Sequence, residues 1–216
     1  MDSQLIEKTR LLVKNDFYGE ASGHDWEHVN RVWKTARKLA QLEGANGIVV
    51  ELAALLHDIA DWKFHSGDET KGPKRAREWL EENLASEEII DPVCEIVATI
   101  SYKGANVPTP MKTLEGCVVQ DADRLDAIGA IGIARAFAYG GFKGRNMYDP
   151  DQPPTFHQSF NDYKENKGHT INHFYEKLLL LKDRMNTKSG HLFAQQRHQF
   201  MQNYLDKFYK EWNGDE

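Results

Sequence analysis

Apolar residues recur at helical spacing in nearly every stretch of this chain, and no segment alternates apolar and polar residues as a half-buried strand would. Gln4 to Phe17 places Leu5, Ile6, Leu12 and Val13 on one stripe before Gly19 stops the run. After Ser22-Gly23-His24-Asp25, with Asp25 in the N-cap position, Val29, Val32, Ala36, Leu39 and Ala40 line one side of a second helix. Arg31, Lys34, Arg37 and Lys38 fall on its other side, and Glu43-Gly44 ends it. A third helix, Ile48 to Ala60, is apolar nearly all round and reads as the central one.

Pro73 suits the first turn of the next helix, which includes Trp79 and Leu80; another spans Glu88 to Tyr102. Thr113 to Tyr139 reads as one long helix with bends at Gly129 and Gly132. Gly140 to Gly168, with its three glycines and three prolines before Thr155, breaks the pattern, as functional or mobile loops do. Helices over His169 to Asn186 and Ser189 to Trp212 close the chain. The fold class is therefore all-α, read as one domain over 1–216, with a motif core at about 24–133 and a helical extension at about 169–213.

Charge and composition exclude several functions. A net charge of -6 argues against binding nucleic-acid polymers, which calls for a basic face, but leaves room for a small anionic substrate in a locally basic cleft. The two cysteines, Cys94 and Cys117, form no metal-binding or disulfide pattern. No apolar run approaches the length of a membrane span, and the first residues lack the apolar core of a signal peptide. The expectation is a cytoplasmic protein without membrane contact, as a monomer or homodimer.

Three distant segments supply metal-ligand side chains, each inside an apolar helix: His28, the pair His57-Asp58, and Asp121-Ala122-Asp123-Arg124-Leu125-Asp126. Imidazole nitrogen and carboxylate oxygen suit Mn, Fe, Zn or Mg, and a buried group of either kind without a partner costs several kcal/mol. Asp61 returns to the face of His57-Asp58 if that helix continues, where it can orient or deprotonate a water; Lys63 follows. The late aspartates also fit a solvated helix face, and Asp25 of the other His-Asp pair reads as a cap.

These residues resemble the HD-domain superfamily of metal-dependent phosphohydrolases. His28-Val29-Asn30-Arg31-Val32 is similar to its opening H-x-x-R-V, Ala54 to Ile59 to A-L-L-H-D-I, and Asp121 to Leu125 to D-A-D-x-L. The resemblance implies one divalent cation, manganese first among Mg, Fe, Co, Ni and Zn, held by His28, His57, Asp58 and Asp123, with Asp126 as the alternative fourth ligand. It also implies a catalytic carboxylate at Asp61. His65 offers no clear second-metal set. Lys63, Arg124 and Arg145 are the candidate phosphate contacts, the last in a loop able to close over a substrate.

Along almost its whole length the chain is similar to a small bacterial branch that includes nucleoside triphosphate pyrophosphatases, which implies a nucleotide partner. The alternatives are a nucleotide-binding regulatory module with slow turnover and a deoxynucleoside monophosphate nucleotidase. The G-Y-P element of cyclic-dinucleotide hydrolases is missing, and Asp61-Trp62 stands where (p)ppGpp hydrolases carry E-D, so both signalling-nucleotide types fit less well.

Overall fold

A computed structural model of the chain describes residues 2–18, 25–59, 68, 70–103, 107–155 and 168–215. Among these the structure is helical and contains no strand. The helices are α1 (Asp2–Asp16), α2 (Trp26–Glu43), α3 (Gly47–Leu56), α4 (Lys71–Glu82), α5 (Glu87–Thr99), α6 (Leu114–Asp126), α7 (Gly129–Phe142), α8 (Thr170–Glu176) and α9 (Lys188–Asn213). A 3-10 helix, Leu178–Arg184, lies between α8 and α9. None of these helices is long and apolar enough to cross a membrane.

The chain forms two compact units, one of Met1–Tyr102 with Pro108–Asp123, the other of Lys103–Val107 with Arg124–Glu216. In the first, α3 packs against α1, α2 and α5, and α4 packs on α5. Leu52, Ala53, Ala54, Leu55 and Leu56 are all fully buried, which explains why this helix is apolar on every side. Each buried leucine contributes roughly 1.5–3 kcal/mol, so the place where α3 ends is firmly set. Asn46 caps its start by accepting the Ile48 amide at 3.2 Å.

The expected end of α3 at Ala60 needs correction. The helix stops at Leu56, and His57, Asp58 and Ile59 form a turn closed by the Ile59 amide on the Leu56 carbonyl at 3.1 Å. The His57 ring occupies the Ala54 carbonyl there, a side-chain bond that competes with the helical ladder. The helix-face argument for Asp61 therefore lapses, and Asp61, Lys63 and His65 lie outside the described residues.

α2 follows expectation. The Asp25 carboxylate accepts the His28 amide at 2.8 Å, and Gly44, at φ 74°, ends the helix by donating to the Ala40 carbonyl at 2.9 Å. His28 lies on the buried stripe with Val29, Val32, Ala36, Leu39 and Ala40.

In the second unit, α7 packs on α8 and α9, and the 3-10 helix packs on both α8 and α9. The helix expected over Thr113 to Tyr139 is two helices, because Gly129 adopts φ 78°, a conformation an L side chain rarely takes. Gly132 then sits so close to the preceding turn that a Cβ there would lie 2.2 Å from the Ala127 carbonyl oxygen. The helix expected over His169 to Asn186 is also divided. Lys177, at φ -142° and ψ -60°, ends α8, and the 3-10 geometry that follows puts Leu178 and Leu181 on one buried face.

The stretch from Gly140 is less open than its composition suggests. α7 runs through Phe142, and Asn146 and Met147 accept the amides of Thr170 and Ile171 at 3.0 and 3.1 Å. Both His169 Nε2 and Asn172 Nδ2 donate to the Gln152 carbonyl, at 3.1 and 2.9 Å, and the Thr155 amide donates to Glu176 at 2.9 Å. Residues 145–155 are thus fastened to α8, while 156–167 lie outside the described residues.

Gly132→Ala should destabilise the protein by about 2–3 kcal/mol, since the clash is with backbone. Gly141→Ala, where a Cβ meets nothing within 4 Å, should stabilise by about 0.5–1 kcal/mol. Urea denaturation of both variants checks the pair; equal stabilities would refute the packing argument.

Candidate metal centre

Four side chains from three helical segments meet in the first unit. His28 comes from the buried face of α2, His57 and Asp58 from the turn that ends α3, and Asp123 from the last turn of α6. The imidazoles approach edge to face, with ring centroids 5.2 Å apart and the two Nε2 atoms 3.2 Å apart. Asp58 Oδ2 lies 3.4 Å from His28 Nε2 and 3.5 Å from His57 Nε2. Asp123 Oδ1 lies 3.5 and 3.9 Å from the same nitrogens.

The His57 ring has its proton assigned by geometry. The Ala54 carbonyl, 2.9 Å away, takes the Nδ1 proton, so Nε2 is the ring atom that faces into the cluster, free to act as a ligand in the neutral tautomer. There it faces a second imidazole nitrogen and two carboxylate oxygens. Side-chain exposure is 1% for His28, 2% for His57 and 12% for Asp58, against 31% for Asp123. Acceptor atoms gathered this closely, with three of the four side chains removed from most water, repel unless a proton or a cation lies among them.

A divalent cation fits the spacing. Ligand atoms about 2.1 Å from one ion sit about 3.0–3.5 Å apart at octahedral or tetrahedral angles. One ligand atom each from His28, His57 and Asp58 all lie within 4.8 Å of one another, so these three can hold a metal ion. Asp123 Oδ1 lies against both imidazole nitrogens but stands outside that group of three.

The neighbouring aspartates do not form a solvated face. Asp121 is fully buried, and Asp126 is 5% exposed, with its carboxylate 2.6 Å from Arg135 Nη1. That ion pair engages the alternative fourth ligand in the second unit. Arg124 is 7% exposed, and its Nη1 donates to the Arg184 carbonyl. Arg145 is half-buried, with its amide on the Gly140 carbonyl at 2.8 Å and its guanidinium 5.9 Å from the Tyr139 ring centroid. Neither cysteine forms a disulfide, and burial raises the Cys94 thiol pKa above its ordinary value.

Residues 25–128 match the family described as the HD domain. The chain is 36% identical to YpgQ of Bacillus subtilis over 217 residues, covering 96% of this chain and 94% of that protein. The chain belongs to the HD-domain superfamily of metal-dependent phosphohydrolases. Several solved structures share the whole fold. A Bacillus thuringiensis HD-superfamily hydrolase is 46% identical, with a TM-score of 0.77 and 99% of each chain covered. A Lactobacillus plantarum protein reaches a TM-score of 0.87 at 36% identity, covering 100% of this chain and 99% of its own. YpgQ itself, in a structure holding ADP, gives a TM-score of 0.75 with 95% of this chain and 97% of that chain covered.

Two features of the HD centre escaped the sequence reading. The Ala54 carbonyl that orients His57 is a backbone atom, which no side-chain pattern reports. The Asp126–Arg135 pair was visible only as two charges nine residues apart, a spacing with no helical periodicity of its own.

If these side chains hold the ion, MnCl2 at 100 times its dissociation constant should stabilise the parent protein by about 2.7 kcal/mol. In Asp58→Ala that gain should vanish, as read by thermal denaturation with and without manganese. A variant that binds manganese as tightly as the parent would rule Asp58 out as a ligand.

Proposed function

We propose that this HD-superfamily protein hydrolyses a nucleoside or deoxynucleoside triphosphate to the monophosphate and pyrophosphate. His28, His57, Asp58 and Asp123 hold one divalent cation, with manganese the favoured ion. The observation that carries the reading is the pair of imidazole nitrogens 3.2 Å apart, with an oxygen of Asp58 and one of Asp123 each 3.4–3.9 Å from both nitrogens. A divalent cation bound there would polarise a phosphoryl oxygen and acidify a coordinated water.

The protein's own groups do the rest. The Ala54 carbonyl fixes the His57 tautomer, so the ring presents its lone pair without a competing proton. Asp61 orients the attacking water and takes its proton. Lys63 and Arg145 offset phosphate charge directly. Arg124 adds positive charge from a buried position, its Nη1 being engaged with the Arg184 carbonyl.

The nucleotide class is supported by ADP in the structure of YpgQ, a relative of similar length throughout. The same complex also favours a second reading, a regulatory module that binds nucleotides and turns them over slowly.

Product analysis decides between them. Nucleoside mono- and triphosphates are incubated with manganese, magnesium and cobalt, and phosphate and pyrophosphate are measured separately. Pyrophosphate from a triphosphate supports the proposal. Orthophosphate from a deoxynucleoside monophosphate indicates a nucleotidase instead, and binding without turnover indicates the regulatory module. Asp61→Ala should keep its metal yet lose about 10²-fold or more in kcat, the usual scale of proton-transfer help. Loss of metal in that variant would make Asp61 a ligand.

A further inference from the structure

Asp123 stands in the last turn of α6, where an isolated helix frays and where the backbone dipole already presents negative charge. Asp126 adds a second carboxylate at the same end. Two carboxylates at a helix C-terminus are unfavourable unless cations offset them. Two arginines, from α7 and α9, supply those cations. Arg135 of α7 places Nη1 2.6 Å from the buried Asp126 carboxylate. Arg197 of α9 donates Nη1 to the Leu125 carbonyl, in the last turn of α6, beside the Ile128 amide that the same oxygen accepts. Burial pulls the Arg197 guanidinium below its ordinary pKa, and the Asp126 charge opposes that shift.

The arrangement is built into the chain rather than incidental. Gly129 leaves room for the Arg197 stem: a Cβ there would sit 3.0 Å from Arg197 Cγ and 3.1 Å from its Cβ. The Ala127 and Ile128 amides close onto the Arg124 and Leu125 carbonyls, both at 3.2 Å. The end of α6 is therefore held by backbone turns and by two guanidiniums from separate helices.

We propose that Arg135 and Arg197 are positioning residues for the metal centre, holding the last turn of α6 so that the Asp123 carboxylate stays at the two imidazoles. The inference rests on the reading of Asp123 as a ligand. Neither arginine needs to touch the ion or the substrate. Their effect is on metal affinity, through the helix that carries the ligand.

Manganese affinity, measured by calorimetry and by the electron paramagnetic resonance of unbound Mn, tests it on the full chain. Arg135→Gln and Arg197→Gln, each confirmed folded by circular dichroism, should bind manganese about tenfold more weakly, the scale seen when groups that orient ligands are removed. Arg135→Lys keeps the charge and should recover most of the loss. Arg77→Gln, which removes exposed ion pairs with Glu81, Glu87 and Asp91, should bind like the parent.

A merely structural role would lower the melting temperature of the metal-free protein and leave the affinity of the folded protein unchanged, and that result overturns the inference. Should Arg197→Gln fail to fold, the two Arg135 variants decide. Asp123→Asn separates the two levels. Weaker binding in that variant with none in the arginine variants sinks the positioning role alone. Undiminished binding in Asp123→Asn sinks the ligand reading as well.

Discussion

Two imidazole nitrogens and two carboxylates share a space in which each pair with a measured separation lies 3.2–3.9 Å apart. Such a grouping of acceptors is tolerable only with positive charge among them, because three of the side chains have given up most of their water. A cation answers that requirement. The same requirement explains the details around it: a carbonyl that fixes the His57 tautomer, an N-cap at Asp25 that accepts the His28 amide, and a turn that brings Asp58 beside His57.

Holding these groups in register is the work of the core. α3 is buried from Val49 to Leu56 apart from Glu51, so packing as well as its own hydrogen bonds places the turn that follows it. His28 is part of the buried stripe of α2, so the force that docks α2 against α3 also delivers the ring. Asp123 has a different support. It is more exposed and lies near a helix end, where fixed charges and orphan carbonyls become the controlling terms. A centre that depends on both kinds of support has two distinct routes to loss of metal: loosening the apolar core, or unbalancing the charges at the end of α6.

Much of this was legible beforehand. Ligand residues embedded in apolar runs at His28, His57-Asp58 and Asp123 stand out because polar groups rarely occupy core positions without a partner. The cap at Asp25 and the stop at Gly44 follow from side-chain and backbone chemistry local to a few residues. The boundaries that were misjudged have non-local or subtle causes. α3 ends early because a ring takes a ladder carbonyl, and the long helix after Thr113 divides because one glycine adopts a left-handed backbone. Glycine permits that conformation but does not require it, so residues 113–139 alone could not say whether the helix bends or breaks.

The amino-acid order by itself determined the all-helical class, the identity of the central helix and the residue types able to meet at one cation, because periodicity and chemical type are properties of neighbours in the chain. Only the tertiary structure decided that Asp126 is engaged by Arg135, that Gln152 lies under His169 and Asn172, and that the border between the two units passes between Asp123 and Arg124 within one helix. Those outcomes depend on which buried charge finds which partner across long stretches of sequence. That competition is settled by packing and desolvation in the folded chain, and no local pattern encodes it.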